Sequence, residues 1–160
     1  MNSDSQMLDV LQDLIVKAQK KGATAADAVF IESKSLSVAQ RLGNMEKLER
    51  SEGYDIGLRT LIGNRQAIVS SSDFSSEALE ELTSRAIAMT KVVPEDPFCG
   101  LADPNQLATN HIDVDSFDSS EPSEDTLIEW SQKAEDAARS VQGITNSEGA
   151  EAGWGCANVS

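Results

Sequence analysis

The stretch from Tyr54 to Ser71, YDIGLRTLIGNRQAIVSS, leaves the backbone few choices. Ile56, Leu58 and Thr60 alternate with Gly57 and Arg59, which is the two-residue period of a strand. Leu61 and Ile62 lead into Gly63-Asn64, and Ala67, Ile68 and Val69 form the return run. Gly-Asn between two β-prone runs predicts a two-residue hairpin loop. Gly63 supplies the positive φ that a type II′ turn requires at its first loop position. This hairpin fixes one antiparallel pair in whatever fold the chain adopts.

The residues before it change period. Over 5–21 the apolar side chains Met7, Leu8, Leu11, Leu14, Ile15 and Ala18 recur every three or four positions, which predicts an amphipathic helix. Lys17, Lys20 and Lys21 suit the negative end of its dipole, and Gly22 suits its C-terminal stop. From Ala28 the pattern alternates. Ala28, Phe30 and Glu32 lie on one face of a strand. A break is expected at Ser33-Lys34, then a second strand with Leu36, Val38 and Gln40 facing together. Met45 to Ser51 reads as a third strand. Glu46, Lys47, Glu49 and Arg50 make it well solvated and place it near a sheet edge.

After the hairpin the helical period returns over 76–91. Leu79, Leu82, Ala86 and Met89 form a stripe with Ile87 beside it. Ser75 or Ser76 caps the start, Glu77, Glu80 and Glu81 crowd the N-terminal end, and Pro94 stops the helix. Residues 95–125 hold nine acids, no Lys or Arg, and Pro97, Pro104 and Pro122. They read as an irregular acidic connection with room for a short strand such as Ile112–Val114. A third helix is predicted from Ser123, with Glu124 and Asp125 in its first turn. Its expected buried stripe is Leu127, Trp130, Ala134, Ala137 and Val141, and Gly143 closes it. A glycine-spaced alternating run follows to Ser160 and begins another strand. Strands grouped together and joined by short turns predict an α+β fold, an antiparallel sheet with helices packed on one face.

One hundred and sixty residues suit one domain and can bury about 70% of the unfolded surface. The net charge of −14 argues against contact with nucleic acid or an anionic membrane, both of which call for clustered Lys and Arg. Cys99 and Cys156 lie far apart without Cys-x-x-Cys spacing, which gives neither a disulfide framework nor a zinc knuckle. Asp9, Gln12 and Asp13 interrupt the N-terminal apolar positions, so no signal-peptide core is read there, and no apolar run is long enough to span a bilayer. A reducing cytoplasm is the expected setting.

No self-contained reaction centre emerges from the residues. A zinc peptidase site needs two imidazoles on one helix face, a third ligand and a Glu as base. His111 is the one histidine and is read as an exposed loop residue. Asp113, Asp115 and Asp118 with Glu124 imitate part of a calcium loop. The sixth position is Asp118 where Gly is needed, and Phe117 sits where an oxygen ligand belongs, so the loop is read as solvated acid. There is no Gly-x-Ser-x-Gly elbow and no phosphate-binding Gly-rich loop. Cys99 and Cys156 have no basic neighbour in sequence to lower a thiol pKa. Trp130 and Trp154 are read as packing residues, and Gly57 and Gly63 as structural glycines. On this reading the fragment has no catalytic, cofactor-binding or metal-binding residue.

Three segments carry a resemblance: the strand pair GYDIGLRTLIGNRQAIVSSSD (Gly53 to Asp73) with the helix after it, TKVVPEDPFCGLADP (Thr90 to Pro104), and NSEGAEAG (Asn146 to Gly153). In order and spacing the chain resembles the N-terminal domain of the TldD/PmbA family, described as modulators of DNA gyrase. Glu95-Asp96-Pro97 with Gly100-Leu101-Ala102-Asp103 is similar to the PmbA (TldE) branch. The resemblance implies that residues 1–160 are the N-terminal α+β domain of a chain about three times as long. A C-terminal β-rich domain would follow Ser160, and residues of about 95–125 would form the acidic connection. It implies a cytosolic metallopeptidase in which TldD-type and TldE-type subunits pair and cleave unfolded peptides, such as leader peptides or an antitoxin. The zinc-type metal would sit in the TldD-type partner, and this subunit would be architectural and non-catalytic. Whether the whole protein is an enzyme stays open from the residues. Two alternatives stand beside this: a metal-bearing TldD-type subunit, and a non-proteolytic interaction domain that modulates gyrase or an antitoxin through protein contacts. A solvated sheet edge can also hold an extended peptide by strand addition, and residues 45–51 are the candidate edge.

Overall fold

The computed structural model describes residues 3–110 and 112–160, so His111 lies outside the described residues. The elements run α1 (Ser3–Lys20), β1 (Ala25–Arg41), β2 (Asn44–Ile62), β3 (Arg65–Ser71), α2 (Ser76–Val92), a 3₁₀ turn (Pro104–Gln106), α3 (Glu124–Arg139) and β4 (Ala150–Val159). The sheet has the order β3-β2-β1-β4. Its neighbours are antiparallel, and with helices packed on one face the fold is α+β, as the sequence pattern predicts. The chain divides into two compact units: Met1–Glu32, Tyr54–Ile112 and Asn158–Ser160 form one, Ser33–Gly53 and Asp113–Ala157 the other.

In the first unit the predicted hairpin is present in full. Ile62 faces Arg65 and Ile56 faces Ser71, leaving Gly63-Asn64 as the loop. Gly63 has φ +57° and Asn64 is not in the positive-φ region, the pattern of a type II′ turn. Ala26, Phe30, Ile56, Leu58 and Val69 point from the sheet into a core closed by α1 and α2. From α1 come Leu11, Leu14 and Ala18, with Met7 and Ile15 partly buried against them. Leu8, expected on this stripe, is 55% exposed because it lies on the flank of the helix face and not on its centre line. Gly22, at φ +109°, turns the chain out of α1.

Helix α2 starts where expected, with the Ser75 side chain accepting from the Ala78 amide. It buries Leu79, Leu82, Ala86 and Ile87 together with Thr83 and Thr90. Met89, placed on the stripe from sequence, is largely exposed. The two threonines can be buried because their hydroxyls bond the helix backbone at Leu79 O and Ala86 O, both at 2.8 Å. Thr90 also shares a 2.6 Å hydroxyl contact with Thr60 across the core. On the opposite sheet face Arg59 grips both carboxylate oxygens of Asp27. Phe30 and Ser160 exchange both backbone hydrogen bonds, at 2.9 and 3.0 Å, the narrow pair of an antiparallel ladder.

Two strand boundaries differ from expectation. β1 continues through Ser33-Lys34 without a turn, and β2 is one strand where separate runs at 45–51 and from Tyr54 were expected. Residues 33–35 and 44–52 are all exposed. Polar residues interrupt the alternation there because no layer covers those side chains, while the backbone stays extended.

The second unit is smaller in its apolar content. Leu36, Val38 and Leu127 are its buried core, with Ile128, Ala152 and Trp154 packed against them. α3 begins where expected, capped by Ser123, whose side chain accepts from Thr126 N. Its buried face is Leu127, Ser131 and Glu135, so only Leu127 of the expected stripe is buried. Trp130, Ala134, Ala137 and Val141 are exposed. The polar members of the buried face all have partners, which is what permits their burial: Ser131 Oγ donates to Ile128 O at 2.9 Å, and Glu135 is described below. No strand forms at Ile112–Val114. Ile112 and Val114 are exposed and find no strand to pair with among the described residues.

Candidate functional site: a clamped hairpin and open strand edges

β1 and β2 are joined by Leu42-Gly43, with φ +50° and +77°. Positive φ at both loop positions is the type I′ turn, whose twist matches that of the strands it joins. Leu is a poor residue for that conformation. Glu135 compensates. Its Oε1 accepts from Leu42 N at 2.7 Å and its Oε2 from Gly43 N at 3.2 Å, and the residue is only 2% exposed. The carboxyl is held below its ordinary pKa, first by the Leu42 amide, then by the Ser147 hydroxyl, with smaller help from the Gly43 amide and the Arg139 charge. Two further bonds hold the same end of the unit: Gln40 Nε2 to Ile128 O at 3.1 Å and Arg41 Nε to Ser147 O at 3.1 Å. Gly149, at φ +104°, lies so near that a Cβ there would stand 2.5 Å from Gln40 O.

The clamped hairpin presents a strand edge. β3 pairs with β2 only from Ile56 to Ile62. On the side away from β1, residues 44–53 of β2 have no strand beside them among the described residues. This segment contains 45–51, the edge proposed from sequence. Its two basic side chains are tied into pairs: Lys47 Nζ to Glu49 at 3.1 Å and to Glu151 at 3.8 Å, and Arg50 to Glu121 at 3.4 Å. The hydrogen bond that Lys47 donates to Glu49 and the charges of Glu49 and Glu151 raise the Lys47 pKa. β4 is the outer strand beside β1, and Ser116–Asp118 and Ser120 of the acidic connection border its Trp154–Ala157 stretch. Of its ten residues only Glu151 is charged, and there is no Lys or Pro.

The residues weighed for chemistry fall as follows. Cys99 and Cys156 are free, half-buried thiols. Asp113, Asp115 and Asp118 are exposed. Asp113 and Asp118 accept from backbone amides two residues on, at 2.9 and 2.8 Å, in local turns. The Ser120 hydroxyl and then the Ser120 amide lower the Asp118 pKa. Trp154 packs as expected. Trp130 does not: it is 52% exposed and borders, with Trp154, Thr126 and Pro122, an open hollow of about 570 Å³. Among the described residues no group of three or more His, Cys, Asp or Glu side chains could hold a metal ion. Glu135, the one buried carboxylate among the described residues, is not picked out by the sequence reading. Its only signal was the i, i+4, i+8 ladder with Leu127 and Ser131.

Comparison with known proteins fits this geometry. Residues 26–90 match domain 1 of the PmbA/TldA metallopeptidases. The chain is 32% identical over 125 residues to Metalloprotease PmbA of Escherichia coli O157:H7, covering 78% of this chain and 28% of that protein. It is 26% identical over 151 residues to the Metalloprotease PmbA homolog of Haemophilus influenzae, covering 94% and 34%. The chain thus spans about a third of the length of these curated relatives. Its fold matches a candidate modulator of DNA gyrase from Bacteroides thetaiotaomicron with a TM-score of 0.74 at 17% identity, covering 99% of this chain and 36% of that one. It matches TldE from Thermococcus kodakarensis with a TM-score of 0.66 at 18% identity, covering 94% and 34%. In sequence and in fold the chain matches the TldD/PmbA family.

The metalloprotease names of the relatives imply a metal. The described residues of this chain do not fit one, because they offer no cluster of donors, and no reaction step is assigned to them. No described helix is long and apolar enough to cross a membrane.

Proposed function

We propose that residues 1–160 are the N-terminal α+β domain of a PmbA/TldE-type subunit. Paired with a TldD-type subunit in the cytoplasm, it serves a zinc-type metallopeptidase that cleaves unfolded peptides. Its share of the work is assembly and peptide contact, and the metal belongs to the partner. The observation that carries this reading is the combination of PmbA-type relatives with an open strand edge on the described surface. An edge can take an extended peptide or a partner strand through main-chain hydrogen bonds, which need no particular side chain. The acidic surface argues against a direct contact with DNA, so any effect on gyrase would run through protein.

The test is metal content. The full-length protein, purified without chelator and apart from its partner, is expected to carry no stoichiometric zinc and to hydrolyse no peptide. One tightly bound zinc per chain with chelator-sensitive hydrolysis would overturn this reading in favour of a metal-bearing TldD-type subunit.

A further inference from the structure

The first unit holds a hollow of about 390 Å³ lined by Met7, three aromatic rings, the acid Glu32 and the serines Ser72 and Ser160. Phe30 and Tyr54 stack with ring centroids 6.2 Å apart and planes 16° from parallel. Phe74, from the β3–α2 connection, meets Phe30 edge-on at 5.8 Å. Met7 of α1 completes the apolar wall, and Glu32 and Ser72 line the hollow beside it. Glu32 stands two residues after Phe30 on β1, so both side chains leave the strand on the same face. It takes part in none of the ion pairs among the described residues.

These features select one ligand chemistry. Aromatic faces carry negative quadrupole potential and attract cations, Arg guanidinium above all. The unpaired carboxylate adds a full negative charge to the same space. An anion would be repelled by both. The apolar wall suits a methylene stem, and the acid suits a charged head, which together describe an amphipathic cationic side chain. We propose that this hollow binds the side chain of an arginine or lysine carried by a polypeptide segment. The inference stands apart from the metallopeptidase reading, since binding is measured directly and no cleavage is involved.

The test uses ¹³C-methyl NMR of the methionines. The blocked tripeptide acetyl-Gly-Arg-Gly-amide is titrated against the protein, and acetyl-Gly-citrulline-Gly-amide serves as its neutral isostere. The Met7 methyl is expected to shift in a saturable way at millimolar peptide, while Met45 and Met89, which do not line the hollow, stay still. Citrulline peptide is expected to leave Met7 unmoved. Glu32→Gln is expected to weaken the arginine peptide by about fivefold, the range of one exposed charge pair. Tyr54→Leu, which keeps an apolar wall, is expected to weaken it as well. Equal shifts with citrulline, equal movement of Met45 and Met89, or unchanged binding in both variants would overturn the proposal. Equal affinity for free arginine would overturn its assignment to a polypeptide.

Discussion

Glu135 accepts the amide proton of Leu42 at 2.7 Å, across 93 residues of sequence, and so fixes a hairpin tip to a helix. Because the acceptor is a carboxylate, the clamp depends on pH. The folded pKa of Glu135 lies below its ordinary value of 4.5. The stabilisation is therefore complete above the unfolded value and disappears as pH falls through the lower folded one. Glu135→Gln keeps the shape and removes the charge. The variant is expected to be less stable than the parent at neutral pH, and the gap should close in acid. Thermal unfolding of both proteins across the acid range checks this, and a gap that does not change with pH would contradict it.

Leu42 itself occupies a conformation that suits Asn or Gly. Leu42→Asn creates Asn-Gly, the preferred pair for a type I′ loop, and Leu42 is too exposed for its loss to open a cavity. The substitution is expected to stabilise the protein by about 1 kcal/mol. Denaturant unfolding measures it, and a destabilised variant would mean that the turn is not the strained element described here.

The edge of β2 gives a third prediction. Proline at Leu48 removes one backbone donor and breaks the regularity of the exposed strand. Leu48→Pro is expected to weaken partner assembly or peptide cleavage by about tenfold or more. Circular dichroism and the unfolding transition serve as controls for folding. Unchanged assembly and cleavage in a folded variant would remove residues 44–53 from the docking surface.

Much of this architecture was legible in the sequence, for local reasons. The loop at Gly63-Asn64, the cap at Ser75, the helix start near Ser123 and the stop at Gly22 are each dictated by a residue and its neighbours. The misplaced features were those decided by tertiary contact. The buried face of α3 is Leu127, Ser131 and Glu135, because Ser131 donates back to Ile128 O and Glu135 accepts from the Leu42 and Gly43 amides, while apolar Trp130 and Val141 face solvent. The polar pair Ser33-Lys34 reads as a break between strands, yet it marks side chains left uncovered on one continuous strand. Leu42-Gly43 gave no turn signal of its own type, since Leu disfavours the conformation that Glu135 maintains. The edges and the aromatic hollow depend on what lies beside each strand, which no local pattern encodes.

The most direct test of the account is reconstitution. An unfolded peptide is incubated with the full-length protein alone, with a TldD-type subunit alone, and with both, each with and without a chelator. The account predicts no cleavage by this protein alone, cleavage by the pair, and loss of that cleavage when the metal is removed. Cleavage by this protein alone that survives the chelator would contradict it.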